Sequence, residues 1–211
     1  MPGYFASLFD PDQPRSFFGA PLLTEQFPPS DPLDALGATG PAAADAATTS
    51  SPAPLSAEIL TYPDGNPVLN HEGWPMLRPA TMDVQKNMEL GKQIAPMAFL
   101  QPPEGSVMDN RDTHMYAWFS HGGPMDYQRP DGARRSGQSF RPEYTEVSSY
   151  NFGAVAAAAG YSRDDAMQAA GLYNRLRGNM SGEITAYGNK RENEENIKRG
   201  WQDATDGKWS R

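Results

Sequence analysis

The sequence predicts a mainly α-helical domain of about 130 residues behind a long arm expected to be largely disordered, and three observations predict it. Of the 20 prolines, 14 lie before Ala80. The stretch from Gly40 to Ala57, GPAAADAATTSSPAPLSA, is built almost wholly from Ala, Ser, Thr and Pro. It offers too little apolar side chain to offset an ordering entropy of roughly 1–2 kcal/mol per residue. From Thr81 onward, apolar residues recur at helical spacing between turn and cap residues. The organisation expected is therefore an arm over 1–57, an extended segment over 58–79 packing on the domain, and a helical domain over 80–211, with no packed core before about Pro79.

Phe5, Leu8, Phe9, Phe17 and Phe18 make the first twenty residues the most apolar part of the arm, which suits a short docking segment or simply an unstructured terminus. The segment ILTYPDGNPVLNHEGWPMLRP carries Pro-Asp-Gly and Gly-Asn-Pro turn signals around Ile59, Leu60, Val68 and Leu69. Asp83 can cap a helix placing Val84, Met88, Leu90 and Ile94 on one face, limited by Pro96. A second helix is expected from Asp109 or Asp112 to Ser120, with Met115, Trp118 and Phe119 inward, before Gly122-Gly123-Pro124 breaks it. Residues 150–159, YNFGAVAAAA, predict a small-residue helix stopped by Gly160. Ser162 and Asp165 form a capping box for a helix from Arg163 to Arg177. The last helix, about Glu192 to Thr205, sets Ile197 and Trp201 inward and Lys198 and Arg199 toward water. The charge run 188–199 reads as a solvated helix face.

The net charge of −8 is unevenly spread. Residues 1–110 hold 4 Lys and Arg against 13 Asp and Glu, a net of −9, and 111–211 hold 14 against 13, a net of +1. The acidic balance thus describes the arm, and local cationic patches in the domain remain compatible with a phosphate-bearing partner. The absence of cysteine excludes disulfides and thiolate zinc sites. No conventional signal peptide and no membrane-length apolar run is apparent, so the expectation is a chain that is cytoplasmic where it is made and, if it acts elsewhere, is delivered by another route. No cofactor fingerprint or metal motif is found, and the many methionines of the domain read as adaptable core filler.

Among three histidines, His71 and His114 read as surface or boundary residues. His121 stands at a helix end beside the Gly-Gly-Pro turn, with Asp126 five residues on and Tyr127 next. An imidazole held by a carboxylate is tuned for proton transfer near neutral pH, whereas a helix-capping histidine would be favoured by the C-terminal dipole, and both readings stand. Glu143, Glu146 and Glu183 are the carboxylates that could act as acid or base on a glycosidic bond, with solvated surface as the plainer reading. Arg129, Arg134, Arg135 and Arg141, with Phe140, form the only cationic cluster, suited to an RNA backbone and an unstacked base.

Three ordered blocks resemble the bacterial polymorphic toxin type 44 domain, a C-terminal module of contact-dependent and secreted toxins. DVQKNMELGKQ places Asn87 at the family's characteristic asparagine. MYAWFSHGGPMDYQ is similar to the family's W-F…G-G-P-W-D-Y-K signature and matches at Gly122, Gly123, Pro124, Asp126 and Tyr127. YNFGAVAAAAGYS and YGNKRENEENIKRGW are similar to F-N-Y-G-A-x-G-A-A-x-G and Y-G-D-D-P…I-x-R-G, matching at Asn151, Gly153, Ile197 and Gly200. The resemblance spans about residues 80–205 and adds Tyr127 and Asn151 to the candidate catalytic residues. Its departures are Met125 for Trp, Gln128 for Lys, and Asn189, Lys190 and Arg191 for D-D-P.

The resemblance implies an antibacterial effector, with hydrolysis of RNA favoured, a cognate immunity protein as partner and a secretion carrier docking through the arm. The residues themselves suggest the roles: His121 moving protons, Asp126 orienting it and an arginine of the 129–135 loop on the phosphate. Two alternatives are a peptidoglycan glycosidase using Glu146 or Glu183 as acid, and a non-enzymatic binding remnant in which the lost aspartates at Asn189 and Lys190 leave no activity.

Overall fold

The computed structural model describes residues 56–100, 110–129, 140–176 and 182–210, and the described part is mainly helical. The arm and its aromatic N-terminal segment lie outside these residues. Five α-helices follow a small β unit: α1 (Val84–Ile94), α2 (Asn110–Phe119), α3 (Thr145–Ala158), α4 (Arg163–Leu176) and α5 (Arg191–Thr205). Strands β1 (Ala57–Ile59) and β2 (Leu77–Pro79) pair antiparallel, with Ile59 opposite Leu77.

Between the strands the chain turns two corners and closes a triangle. The amide of Leu60 donates to Met76, that of Met76 to Val68, and that of Val68 to Leu60. The sequence repeats every eight residues through this unit: Leu60, Val68 and Met76 point inward, Gly65 and Gly73 mark the corners, and Pro67 and Pro75 follow. Both corner glycines sit at positive φ, +87° and +91°, a backbone region that side-chain-bearing residues rarely occupy. Leu60, Val68 and Met76 are buried in the common core. Among the described residues the core therefore begins at Leu60, not after Pro79 as composition suggested. Turn residues dilute the apolar content of the segment, but its three apolar positions meet on one side.

The local signals from Thr81 read correctly. The Asp83 side chain accepts from the Lys86 amide, and Val84, Met88 and Ile94 are buried. Ser162 accepts from the Asp165 amide and donates to its carboxylate, completing the capping box. Helix α3 begins at Thr145, five residues before the expected start at Tyr150. Its Thr-Glu-Val-Ser-Ser lead has weak helix propensity, and burial of Val147 against the core overrides that preference.

Helix α3 is the centre of the domain. Its small residues let α5 approach at backbone contact: a Cβ on Gly153 would meet the Ile197 carbonyl oxygen at 2.0 Å, and one on Gly200 the Tyr150 oxygen at 2.0 Å. The two helices run antiparallel, since 153 faces 197 and 150 faces 200. The charge run on α5 is not a fully solvated face, because the β unit and neighbouring elements cover part of it. Glu194 and Asn196 are buried. Arg199, expected in water, donates to the carbonyls of Leu69 and Asn70 and fastens the β unit to α5. Among the described residues, no helix is long and apolar enough to cross a membrane.

Candidate active site

The segment following α2 is a run of tight turns. Gly123 donates to Ser120, Met125 to Trp118, Asp126 to Gly123 and Arg129 to Asp126, all through backbone amides. The Asp126 carboxylate closes this path by accepting from the Gly122 amide at 2.9 Å. It also pairs with the Arg129 guanidinium at 3.3 Å. Asp126 thus fixes the Gly-Gly-Pro turn and holds Arg129. The guanidinium carbon of Arg129 lies 5.2 Å from the centroid of the half-exposed Phe140 ring.

His121 is half-buried at the start of the same segment. Its backbone amide donates to the Tyr173 hydroxyl at 2.8 Å, and its ring packs edge-on against Tyr173 with centroids 5.6 Å apart. Tyr173 in turn meets Tyr116 edge-on at 6.0 Å. Helix α4 therefore supplies the wall behind the imidazole, a contact that no spacing in the sequence announces.

Tyr127 points the other way, into the core. Its hydroxyl accepts from Asn87 Nδ2 at 2.8 Å, and the same nitrogen donates to Asn151 Oδ1 at 3.0 Å. Burial holds the Tyr127 phenol above its ordinary pKa, a shift that the bond from Asn87 opposes. Asn151 is 0% exposed, and its Nδ2 has no hydrogen-bond partner among the described residues. The resemblance placed Asn151 and Tyr127 among the candidate catalytic residues. Asn151 is completely buried, and the triad pins the 120–129 segment to α1 and α3.

Glu146 and Glu183 do not converge. Glu183 forms an exposed ion pair with Arg191 at 2.8 Å, at the first residue of α5. Glu146 lies in the first turn of α3 and accepts from Asn70 Nδ2 at 2.8 Å. Because α3 and α5 are antiparallel, these two carboxylates stand at opposite ends of the pair, on the order of 20 Å apart, whereas glycosidase carboxyls lie ~5–9.5 Å apart. Glu143 approaches Arg141 at 4.0 Å.

The cationic loop is closed at its base by the Arg141 amide donating to the Gln128 carbonyl at 2.8 Å, which sets Arg141 and Phe140 beside Arg129. Arg134 and Arg135 lie outside the described residues. Asn189, a departure from the family pattern, is fully buried: its Nδ2 donates to the Met167 carbonyl at 2.8 Å and its Oδ1 accepts from Asn174 at 3.1 Å. An aspartate there would turn an acceptor toward the Met167 carbonyl, so the asparagine is the residue this packing requires.

Two groups escaped the sequence reading. One is Asn70, whose side chain ties the Glu72 and Trp74 amides to Glu146. The eight-residue repeat was the signal that could have exposed it. The other is a buried knot around Asp203, whose Oδ2 accepts from the hydroxyls of Tyr62 and Tyr150 and whose Oδ1 accepts from Lys208. Trp209 adds its indole N–H to Tyr150 at 3.0 Å. Neither a protein-family model, nor a curated protein, nor a solved structure matches the chain.

Proposed function

We propose that the helical domain is a toxin-type effector module of the polymorphic toxin type 44 kind, acting as a ribonuclease. One observation carries the reading. Asn87, Tyr127 and Asn151 come one from each of the three blocks that suggested the family, and they join in a single buried hydrogen-bonded triad. Blocks separated by tens of residues are thus parts of one construction, whose product is a fixed presentation of the segment bearing His121 and Arg129.

Ribonuclease chemistry of this type needs a base for the 2′-hydroxyl, an acid for the departing 5′-oxygen and a cation for the phosphate charge that grows between them. His121 takes the proton from the 2′-hydroxyl, that oxygen bonds to phosphorus as the bond from phosphorus to the 5′-oxygen breaks, and the protonated His121 returns the proton to the departing 5′-oxygen. Arg129, held by Asp126 beside Phe140, faces the phosphate, and Phe140 offers a stacking surface for a splayed base. Asp126 acts as a positioning residue through the turn and through Arg129. On this reading the producing cell holds the chain in its cytoplasm with a neutralising partner protein, and the arm serves delivery by a carrier.

The test is inducible expression of the full chain in a bacterium, following growth and total RNA. Arrest with RNA loss is expected, and His121→Ala should abolish both while leaving soluble protein and helical content unchanged. Intact RNA in arrested cells, or arrest that His121→Ala does not relieve, would sink the assignment.

A further inference from the structure

The repeat of the β unit supplies an internal comparison between two corners of the same backbone design. In the first, Tyr62 donates to the Asn66 carbonyl and Gly65 to Tyr62. In the second, Asn70 donates to Trp74 and Gly73 to Asn70, in the same positions. The exposed side chains of the first corner satisfy each other: Asn66 donates to Asp64 from its side chain at 2.8 Å and from its backbone at 2.9 Å. The equivalent positions of the second corner hold Glu72 and Trp74, and Trp74 is 67% exposed. Asn66 shows that this position needs only a small polar residue, so the fold does not account for a large indole left in water.

Around that indole stand groups positioned from below. Asn70, buried, accepts from the Glu72 and Trp74 amides and donates to Glu146 Oε1 at 2.8 Å, joining the corner to the start of α3. His71 lies in the same corner, its Nδ1 4.0 Å from Glu146 Oε1 and its Nε2 3.9 Å from Glu72 Oε1. Both gaps exceed a direct hydrogen bond of about 2.7–3.2 Å, and each is a span that one hydroxyl can bridge.

We propose that this corner, Asn70 to Trp74 with Glu146, is a surface site for a saccharide, whose flat C–H face stacks on Trp74 while its hydroxyls bond Glu72, His71 and Glu146. A sugar matches this mixture better than a cation does. The imidazole already lies between the two carboxylates and when protonated offsets one of their two charges, whereas a polyol offers donors to the carboxylates, both donors and acceptors to the imidazole, and an apolar face to the indole. The inference is independent of the ribonuclease reading, because it uses none of the residues placed at that reaction.

The full chain is applied to an array of neutral and charged oligosaccharides, and any sugar retained is titrated against tryptophan emission. Saturable binding is expected, with Trp74→Ala weakening it at least about tenfold, the equivalent of one lost stacking contact, and Glu146→Gln weakening it less. Thermal unfolding of Trp74→Ala should match the parent, which separates lost binding from lost fold. Retention of no saccharide, binding indifferent to Trp74→Ala, or binding of a lysine-rich peptide at Trp74 in place of any sugar would each overturn the proposal.

Discussion

Tyr150 and Asn151 are neighbours on α3, yet they anchor two buried polar clusters of opposite character. Tyr150 joins the cluster around Asp203, which is ionic and links Tyr62 near the start of the described chain, α5, and Trp209 near its end. Asn151 joins a neutral cluster with Asn87 and Tyr127, which links α1, α3 and the segment carrying His121. Consecutive helix residues diverge by about 100°, so one turn of α3 serves both. The difference separates two tasks: the ionic cluster closes the domain by joining distant parts of the chain, and the neutral cluster aims a loop.

That comparison can be broken most directly at Asp203. Asp203→Ala leaves two phenol hydroxyls and Lys208 without their acceptor, and a loss of about 3 kcal/mol is expected in chemical denaturation. A smaller loss, on the scale of one exposed ion pair, would mean that the ionic cluster does not close the domain.

Alkali tests the same cluster from the proton side. Burial, reinforced by Asp203, raises the Tyr62 and Tyr150 phenols above the ordinary value of 10.0. Folded-state values above unfolded ones give a contribution that is complete below the unfolded pKa and disappears as pH climbs from there through the folded values. Stability should therefore be flat across neutral pH and fall above about pH 10, with tyrosinate absorbance from these residues appearing only as the domain unfolds. Early, non-cooperative ionisation of all the tyrosines would contradict the burial described.

The neutral cluster predicts the smallest effect on stability and a separate effect on function. Tyr127→Phe removes one acceptor of Asn87 and should cost about 1 kcal/mol. On the ribonuclease reading it should also slow RNA cleavage by more than that stability loss explains, because the segment bearing His121 loses its anchor. Activity unchanged in a folded Tyr127→Phe protein would reduce the triad to packing alone.

How much was legible follows from how far apart the interacting residues lie. The caps at Asp83 and at Ser162 with Asp165 were readable because both partners fall within one helical turn. The Gly-Gly-Pro turn was readable for the same reason, but the partners of the Asp126 carboxylate were not. The turn presents the Gly122 amide and the Arg129 side chain to it, and the sequence lists no backbone donors. The β unit was half-read: its corners announced themselves through glycine and proline, while the inward set of Leu60, Val68 and Met76 was diluted by the residues between them.

By itself the sequence determined the helical class, the positions of the helix starts that carry caps, and the small-residue surface of α3 that permits close approach. These depend on backbone preferences and on side chains a few residues apart, where local geometry restricts the outcome to few alternatives. Only the tertiary structure decided that Arg199 fastens the β unit, that Asn151 is fully buried, that Glu146 and Glu183 are kept apart, and that Tyr62 meets Asp203 across 141 residues. Those outcomes depend on the antiparallel register of α3 and α5, set by glycine at two contact points, and a register between distant segments is fixed by packing the whole core at once.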